Sequence, residues 1–280
     1  MLLVTGATGN VGRKLVDFLV QSGEKIRAVS RRPETAALPQ VVEVVKADLL
    51  RPETLGAALT GVDRIFALFH LPGDPKQAVN LANALARTSV KRIVMFSSAT
   101  VQRVVKGDAI GEDHRRAEAE LRATGKLVRF VRPGTLMFNS LGWADQLRSG
   151  DLVRGMEIAP AAIMDEADVA RAAAVLLTMN SVPQESYQIT GPDSLSAADQ
   201  VRILGEVLNR KLNFEPIPAT AAAQFISEHT QGAGDPYALM DNAMGPNVVW
   251  ARPNGVYEAL TGLKPRSYRQ WAQAHIDAFR

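Results

Sequence analysis

The sequence predicts an α/β protein built on a doubly wound parallel sheet. In its first half, short apolar runs typical of buried strands alternate with patterns typical of amphipathic helices. The first of these strands also runs directly into a glycine-rich turn and a helix. At 280 residues, the chain is long enough for one large domain or for a domain with an appended lobe.

The first predicted strand lies at residues 2–4, which are all apolar, as expected of a strand covered on both faces. Gly6, Gly9 and Gly12 follow with G-x-x-G-x-x-G spacing. Apolar residues then recur at helical spacing over residues 11–20. The glycine turn therefore lies between a strand and a helix.

Glycine is needed at such a turn for three physical reasons. It permits a tight exit from the strand, it lets backbone N–H groups approach a pyrophosphate, and it allows the helix to pack closely on the sheet. The pattern therefore predicts a dinucleotide-binding site. The alternative is a glycine-rich turn with no binding function.

The end of the second predicted strand, at residues 25–30, indicates which dinucleotide is bound. An NAD-binding unit places an acidic residue here to bond the ribose hydroxyls. This sequence has Ser30, Arg31 and Arg32 instead. Charge-assisted hydrogen bonds from guanidinium groups suit a 2′-phosphate and contribute about 1.5 to 3 kcal/mol each. The sequence thus favours NADP(H), although two solvated surface arginines are the alternative.

The remaining strands and helices follow the same alternation. Strands are predicted at residues 41–46, 64–69, 91–96, 127–131 and 186–190. Helices are predicted at residues 52–59, 75–89, 113–123 and 168–179, the last with Asp168 as its N-cap. Asp48 follows the third strand, where it would either bond the adenine amino group or cap the next helix.

The regular alternation stops after Asn139 and resumes only briefly. We therefore expect residues 1–135 and 165–190 to form the NADP(H)-binding domain. Residues 136–164 and 191–280 would form a smaller, mainly helical substrate-binding lobe. The stretch 232–247 has glycine and proline near both ends, which predicts either a mobile lid or an ordinary long loop.

Composition excludes several classes of function. The net charge of +3 is spread along the chain without a basic stripe, so a nucleic-acid partner is not expected. No apolar run approaches the roughly 20 residues that span a bilayer. The absence of cysteine excludes disulfides and thiolate chemistry, and no metal site is predicted.

Because the first strand begins at Met1, with no room for a signal peptide, we expect a cytoplasmic protein. The oligomeric state is open.

Several motifs point to one family. They are TGATGNVG at residues 5–12, SRRP at 30–33, ADL at 47–49, FSSA at 96–99, RPGTLMFN at 132–139, YQITGP at 187–192 and WAQAH at 271–275. In these motifs the chain resembles the NmrA-like, isoflavone-reductase-like branch of the atypical short-chain dehydrogenase/reductase superfamily. The resemblance covers nearly the whole chain and implies a Rossmann-type fold.

The resemblance also implies which residues bind ligands. The expected cofactor-binding residues are Gly6, Thr8, Gly9, Asn10, Val11, Gly12, Ser30, Arg31, Arg32, Asp48, Leu49, Leu68, Phe69, Ser97 and Pro133. The expected substrate-pocket residues are His70, Met137 and Asn139.

Most reductases of the superfamily use a Tyr-x-x-x-Lys pair on the helix after the fifth strand to protonate a carbonyl oxygen. All four tyrosines of this chain lie beyond that helix. In the corresponding place stand His114 and Glu118, one helical turn apart. His114 would be a proton donor whose tautomer Glu118 holds. The alternatives are an exposed pair on the helix surface, or a pair that only shapes the nicotinamide pocket.

Hydride transfer without a strong proton donor needs an acceptor whose reduced form is a stabilised anion. A hydroquinone, which resembles a phenol with a pKa of about 10, meets this condition, whereas a simple alkoxide does not. The expected substrates are therefore quinones, related conjugated carbonyls, azo compounds or imines. The competing hypothesis is a redox sensor that binds NADP(H) and catalyses no reaction.

Overall fold

In a computed structural model that describes residues 1–70, 74–179 and 183–280, the chain divides into two compact units. The first unit contains Met1–Ser98, Asp113–Arg132 and Val169–Gln188. The second contains Ala99–Glu112, Pro133–Asp168 and Ile189–Arg280. The predicted boundaries had placed residues 99–112 in the first domain. The second unit, expected to be the smaller one, is about as long as the first.

The strands confirm the predicted fold class. They are β1 (Leu2–Val4), β2 (Ile26–Ser30), β3 (Glu43–Lys46), β4 (Arg64–Ala67), β5 (Arg92–Phe96), β6 (Leu127–Pro133), β7 (Leu152–Gly155), β8 (Ser186–Ile189) and β9 (Asn213–Pro216). The main sheet has the order β3-β2-β1-β4-β5-β6-β8, and the pairings from β3 to β6 are all parallel. This order reverses direction at β1, as in a doubly wound sheet.

The helices of the described residues alternate with the strands along most of the chain. They are α1 (Asn10–Gln21), α2 (Leu55–Leu59), α3 (Lys76–Leu85), α4 (Ala109–Ala123), α5 (Ala144–Ser149), α6 (Glu166–Thr178), α7 (Ala197–Leu208), α8 (Ala219–His229), α9 (Pro236–Ala243), α10 (Val256–Thr261) and α11 (Tyr268–Ala274). None of them combines the length and the apolar character needed to cross a bilayer.

Local hydrogen bonds explain where the predicted boundaries were wrong. The third strand begins two residues late because the Val42 N–H donates to the Pro39 carbonyl in a turn. The fourth strand ends at Ala67 because the Leu68 N–H donates to the Thr5 hydroxyl rather than to a neighbouring strand. Helix α4 begins at Ala109 rather than Asp113.

Consecutive residues of the central strands are buried in the first unit, which places its core on both faces of the sheet. Leu3, Ile65 and Ile93 are fully or almost fully buried on adjacent strands. Helix α1 packs its apolar stripe inward, since Leu15, Val16 and Leu19 have no exposed surface, whereas its polar residues face outward. The packing fixes the start of α1, and with it the glycine turn.

The second unit contains a parallel pair, β7 with β9, that the sequence pattern did not predict. Its core includes Trp250, Tyr268 and Trp271, all at most 2% exposed. A Cβ on Gly134 would lie 2.2 Å from the Trp250 indole ring. The glycine of the Arg-Pro-Gly motif is therefore needed to make room for that ring.

The stretch predicted as a lid or long loop contains α9. Arg103 anchors this helix, because its guanidinium pairs with the Asp241 carboxylate at 2.6 Å and donates to the Asp241 carbonyl at 3.1 Å. Asn242 on the same helix donates to the buried Asp108 carboxylate at 2.5 Å. These bonds hold α9 within the second unit.

The N-cap predicted for α6 was wrong by three residues. The Asp165 carboxylate accepts a bond from the Ala167 N–H at 2.7 Å and caps the helix. Asp168 lies inside α6, where its carboxylate accepts bonds from the Tyr257 hydroxyl at 2.9 Å and the Arg266 N–H at 2.6 Å. Sequence pattern alone could not separate the two aspartates, because both precede apolar helical residues.

Three carboxylates are buried together at this helix start: Asp165, Glu166 and Asp168 are each at most 4% exposed. Burial raises the pKa of Glu166 and of Asp168, and the charge of Asp165 raises both further. The Trp271 N–H and the His275 ring act in the opposite direction and lower the pKa of Glu166. The Arg266 guanidinium pairs with Asp165 at 2.9 Å, and its charge lowers the pKa of Asp168.

A carboxyl group with a raised pKa in the folded state takes up its proton at higher pH than in the unfolded chain. Acidification from about pH 7 toward about pH 5 should therefore raise the free energy of unfolding, because this window lies above the ordinary carboxyl pKa. Glu166→Gln, which keeps an acceptor for the Trp271 N–H, should flatten this dependence. Urea unfolding at a series of pH values measures it.

The control for this prediction is Glu185→Gln. The Arg122 guanidinium lowers the pKa of Glu185. The stability that Glu185 contributes is therefore lost only as the pH falls below the ordinary carboxyl pKa, and Glu185→Gln should leave the pH slope between about pH 5 and pH 7 unchanged. Equal pH slopes for the native protein and Glu166→Gln between about pH 5 and pH 7 would contradict the argument.

Candidate dinucleotide-binding site

The glycine turn between β1 and α1 is built on a close backbone approach. Gly6 has a φ of +65°, and its carbonyl accepts a bond from the Gly9 N–H at 3.0 Å. A Cβ on Gly12 would lie 2.0 Å from the Gly6 carbonyl oxygen, so only glycine fits there. A Cβ on Gly9 would meet that oxygen at an ordinary 3.4 Å. Conformation and space thus require glycine at two of the three positions.

Gly9 has a different function, because it is the N-cap of α1. It offers no side-chain oxygen to the first N–H groups of the helix, and the first turn contains no acidic residue. Thr8 and Asn10 on either side are exposed. The positive end of the helix is therefore open to an anion, and the turn fits the pyrophosphate of a dinucleotide.

Arg13 ties this turn to the segment after β2. Its guanidinium donates three bonds: Nε to the Thr8 carbonyl at 3.1 Å, Nη2 to the Ala36 carbonyl at 2.9 Å, and Nη1 to the Ala37 carbonyl at 2.7 Å. Ala37 is held with a φ of +47°. The sequence analysis missed Arg13, because a basic residue on the first turn of a helix gives no distinctive pattern.

Arg31 and Arg32 lie at the end of β2, with both side chains exposed. In the described ranges neither guanidinium forms an ion pair with a carboxylate, unlike most arginines of the chain. The Ser30 hydroxyl accepts a bond from the Arg32 N–H at 3.1 Å and so shapes the turn. The positive charges of Arg31 and Arg32 therefore lie at the end of β2, the strand that pairs with β1.

Thr5 connects the ends of β1 and β4. Its buried hydroxyl donates to the Leu68 carbonyl at 3.0 Å and accepts from the Leu68 N–H at 2.8 Å. The Leu68 side chain consequently lies against Gly6, where a Cβ would meet it at 3.0 Å. Phe69 is buried beside it. Thr5 was read only as part of the motif, yet it positions the predicted cofactor residues Leu68 and Phe69.

Asp48 follows β3 and closes a turn. One carboxylate oxygen accepts the Leu50 N–H at 3.0 Å, which is local capping rather than the cap of the next helix. The Leu49 carbonyl accepts a bond from the Asn80 amide at 2.8 Å. Both residues lie at the carboxyl edge of the parallel sheet, with the glycine turn and the two arginines.

Ser97 and Glu118 belong to one buried network. The Ser97 hydroxyl donates to Glu118 Oε1 at 2.6 Å. The Arg132 guanidinium binds both carboxylate oxygens, at 2.8 and 2.5 Å, and Arg122 donates to Oε2 at 3.0 Å. A carboxylate has about four acceptor positions, and these four donors occupy them.

Glu185 extends this network at the edge of the sheet. Its carboxylate pairs with Arg122 at 2.9 Å, which lowers the pKa of Glu185 and raises that of Arg122. Both Arg122 and Arg132 also lie over the Phe130 ring, at 4.5 and 5.6 Å from its centre. The end of β5, the helix α4 and the strand β6 are thereby joined around a single carboxylate.

His114 and Glu118 are 7% and 2% exposed, so the alternative of an exposed pair on the helix surface is wrong. The acceptor positions of Glu118 are directed to Ser97, Arg122 and Arg132. A function for Glu118 in holding the tautomer of His114 stays a prediction.

The remaining predicted residues are divided between the units. His70 is exposed in the first unit. In the second, Pro133 is buried at the end of β6, Met137 is buried in the hydrophobic core, and Asn139 is exposed. Their contacts with ligands stay predictions. No group of three or more histidine and acidic residues in the described part of the chain is arranged to hold a metal ion.

Comparison with known proteins identifies the family. A family model described as NAD(P)H-binding matches residues 6–180, which include the glycine turn, Arg31 and Arg32, and the Ser97 network. A (4-alkanoyl-5-oxo-2,5-dihydrofuran-3-yl)methyl phosphate reductase of Streptomyces griseus is 33% identical over 282 residues, covering 100% of this chain and 99% of the relative. An NAD(P)H azoreductase of Xenophilus azovorans is 30% identical, covering 100% and 99%.

Solved structures share the fold. An NADPH-dependent quinone oxidoreductase of Escherichia coli, complexed with NADPH, has a TM-score of 0.82 at 19% identity and covers 99% of this chain and 100% of its own. A triphenylmethane reductase of Citrobacter sp. has a TM-score of 0.77 at 20% identity, covering 98% and 99%. The chain therefore belongs to the NAD(P)H-binding family, as an oxidoreductase of the NmrA-like branch of the atypical short-chain dehydrogenases/reductases.

Proposed function

We propose that this protein is an NADPH-dependent reductase of conjugated, quinone-like or related aromatic small molecules. Two features together carry the proposal: a predicted dinucleotide site, and the lack of a tyrosine proton donor at the position where the superfamily has its tyrosine and lysine. The dinucleotide site consists of the glycine turn and of Arg31 with Arg32. At the place of the lysine in the Tyr-x-x-x-Lys pair stands Glu118, whose carboxylate accepts hydrogen bonds from Ser97 and two arginines.

The preference for NADPH rests on charge. Two exposed guanidinium groups without a carboxylate partner in the described residues favour a 2′-phosphate and leave the ribose of NADH without its usual acidic acceptor. Arg13 supports this preference by fixing the segment that follows the two arginines. The cofactor discrimination should therefore depend on Arg31 and Arg32 together.

Replacing both with Arg31→Ala and Arg32→Ala should raise the dissociation constant of NADPH by about a hundredfold or more, since each charge-assisted bond contributes about 1.5 to 3 kcal/mol, which is about one to two powers of ten in affinity. The dissociation constant of NADH should change by less than about threefold. Fluorescence titration of the reduced nicotinamide measures both. Arg87→Ala, an exposed arginine after α3, is the matched control. Equal losses for the two cofactors would remove the specificity argument.

Bound NADPH would supply the hydride. The residues of the chain must then manage the charge that forms on the acceptor. Ser97 has committed its proton to Glu118, and Glu118 accepts bonds from two arginines, so neither is a ready proton donor. An acceptor that becomes a stabilised anion, such as a quinone, needs no proton during hydride transfer.

The names of the relatives support the same class of acceptor. The reductase of Streptomyces griseus acts on a ring in which a carbonyl is conjugated, and the relative of Xenophilus azovorans is an azoreductase. Both kinds of group accept hydride at an electron-poor conjugated position. For the present chain the proposal is limited to this chemistry; the individual substrate is open.

The deciding experiment follows NADPH oxidation against a panel of quinones, enones, imines and azo dyes, with NADH in parallel. We expect turnover of at least one conjugated class, with NADPH preferred. Saturable NADPH binding without turnover on any member would contradict the reductase proposal. It would favour the second candidate, a redox sensor, which the missing Tyr-x-x-x-Lys pair supports.

His114→Ala should lower the turnover of azo or imine acceptors by about a hundredfold, because their reduced nitrogen must gain a proton and general acid catalysis contributes about that much, whereas the turnover of quinones should change little. The dissociation constant of NADPH should not change. The matched control is His229→Ala, an exposed histidine on α8. Unchanged turnover of the azo and imine acceptors would contradict the function of His114 as a proton donor, and His114 would then only shape the pocket.

A further inference from the structure

The second unit contains a cleft of about 600 Å³, a size typical of pockets that hold small organic molecules. Its walls come from residues 157–160, the beginning of α7, strand β9 with the residues that follow, and the end of α9. Apolar side chains provide most of the lining, and the larger ones, Ile158, Phe214, Ile217, Met240 and Met244, are half-buried. Methionine side chains adapt readily to flat aromatic ligands.

The ionisable residues that line the cleft are all acidic. Glu157 and Asp241 are the ionisable residues of its lining, and no lysine, arginine or histidine of the described chain lines it. The Asp241 charge is offset by Arg103 at 2.6 Å. Glu157 has no ion pair within the described ranges. The lining therefore carries one uncompensated negative charge.

The beginning of α7 could in principle attract an anion, because helix N-termini are positive. Here that end is already satisfied. The Ser196 hydroxyl accepts the Asp199 N–H at 3.1 Å, and the Asp199 carboxylate in turn accepts the Ser196 N–H at 3.1 Å and the Ser196 hydroxyl at 2.6 Å. This capping box places a carboxylate at the helix end, which offsets the attraction of that end for a second anion.

We propose that this cleft binds the aromatic body of the acceptor, and that it selects neutral or cationic acceptors over those that carry a phosphate, sulfonate or carboxylate. The proposal rests on the proposed reductase function and names the substrate class for it. It also separates this chain from its relative of Streptomyces griseus, whose named substrate is a phosphate ester. An apolar cleft with one free carboxylate stabilises a cation and repels an anion.

The test uses two azo dyes of nearly equal size, 4-dimethylaminoazobenzene with either a trimethylammonium or a sulfonate group at the 4′ position. Reduction adds a hydride from NADPH to one nitrogen and a proton from water to the other, giving the hydrazo compound and NADP⁺. We expect the KM of the sulfonate to exceed that of the cation by about tenfold at low salt, with a smaller ratio at high salt.

Two variants examine the cleft itself. Glu157→Lys should raise the KM of the cation and lower that of the sulfonate, reversing the preference. Ala198→Trp places a large ring at an exposed lining position and should raise the KM of both dyes while leaving NADPH binding unchanged. Glu258→Lys makes the same charge change on α10, outside the lining, and is the matched control.

Equilibrium dialysis of the cationic dye without NADPH separates this proposal from the reductase function. Dye binding that Ala198→Trp abolishes, in a protein that turns over no acceptor, would support the cleft and contradict the function. Turnover that neither cleft variant alters would support the function and overturn the cleft. A native preference for the sulfonate would overturn the charge argument.

Discussion

The first unit depends on one close backbone approach, between the Gly6 carbonyl and the Cα of Gly12. A single methyl group at Gly12 would collide with that carbonyl at 2.0 Å, so the helix could not begin where it does. The position of α1 in turn sets Gly9 at the helix start and Arg13 within reach of the segment after β2. The open helix start, where a phosphate is predicted to bind, and the bonds from Arg13 to the segment after β2 thus depend on the same contact.

A second constraint distinguishes this chain from reductases with a Tyr-x-x-x-Lys pair. In those enzymes the lysine provides a positive charge beside the proton donor. At the position that the family resemblance assigns to this lysine, Glu118 accepts hydrogen bonds from Arg122 of α4 and Arg132 of β6. The positive charges of the two arginines therefore pair with a buried carboxylate and not with a hydroxyl group of a proton donor. The hydrogen-bonded serine follows from the same arrangement, because a carboxylate with unfilled acceptor positions in a buried site would be destabilising.

The fold could be predicted from the sequence because most strands of the main sheet are rich in apolar residues and lie between turn residues, which is a local signal. The pair β7 with β9 escaped prediction because its two strands are short, partly exposed and about 60 residues apart. In the candidate site, the tight glycine turn and the exposed arginine pair could be predicted because they depend on local conformation and charge, and their contacts with a cofactor stay predictions. The connections through Arg13, Thr5 and Arg132 could not be predicted, since each joins positions that only the folded chain brings together.

The contact between Gly134 and the Trp250 ring has an evolutionary consequence. The indole occupies the volume that any side chain at the glycine would need, so the two positions form a single steric unit although 115 residues separate them in the chain. Relatives that replace this glycine should also have a smaller residue at the position of the tryptophan. The glycine of the Arg-Pro-Gly motif would then vary together with a residue of the distant C-terminal segment, rather than with the residues that bind the nucleotide.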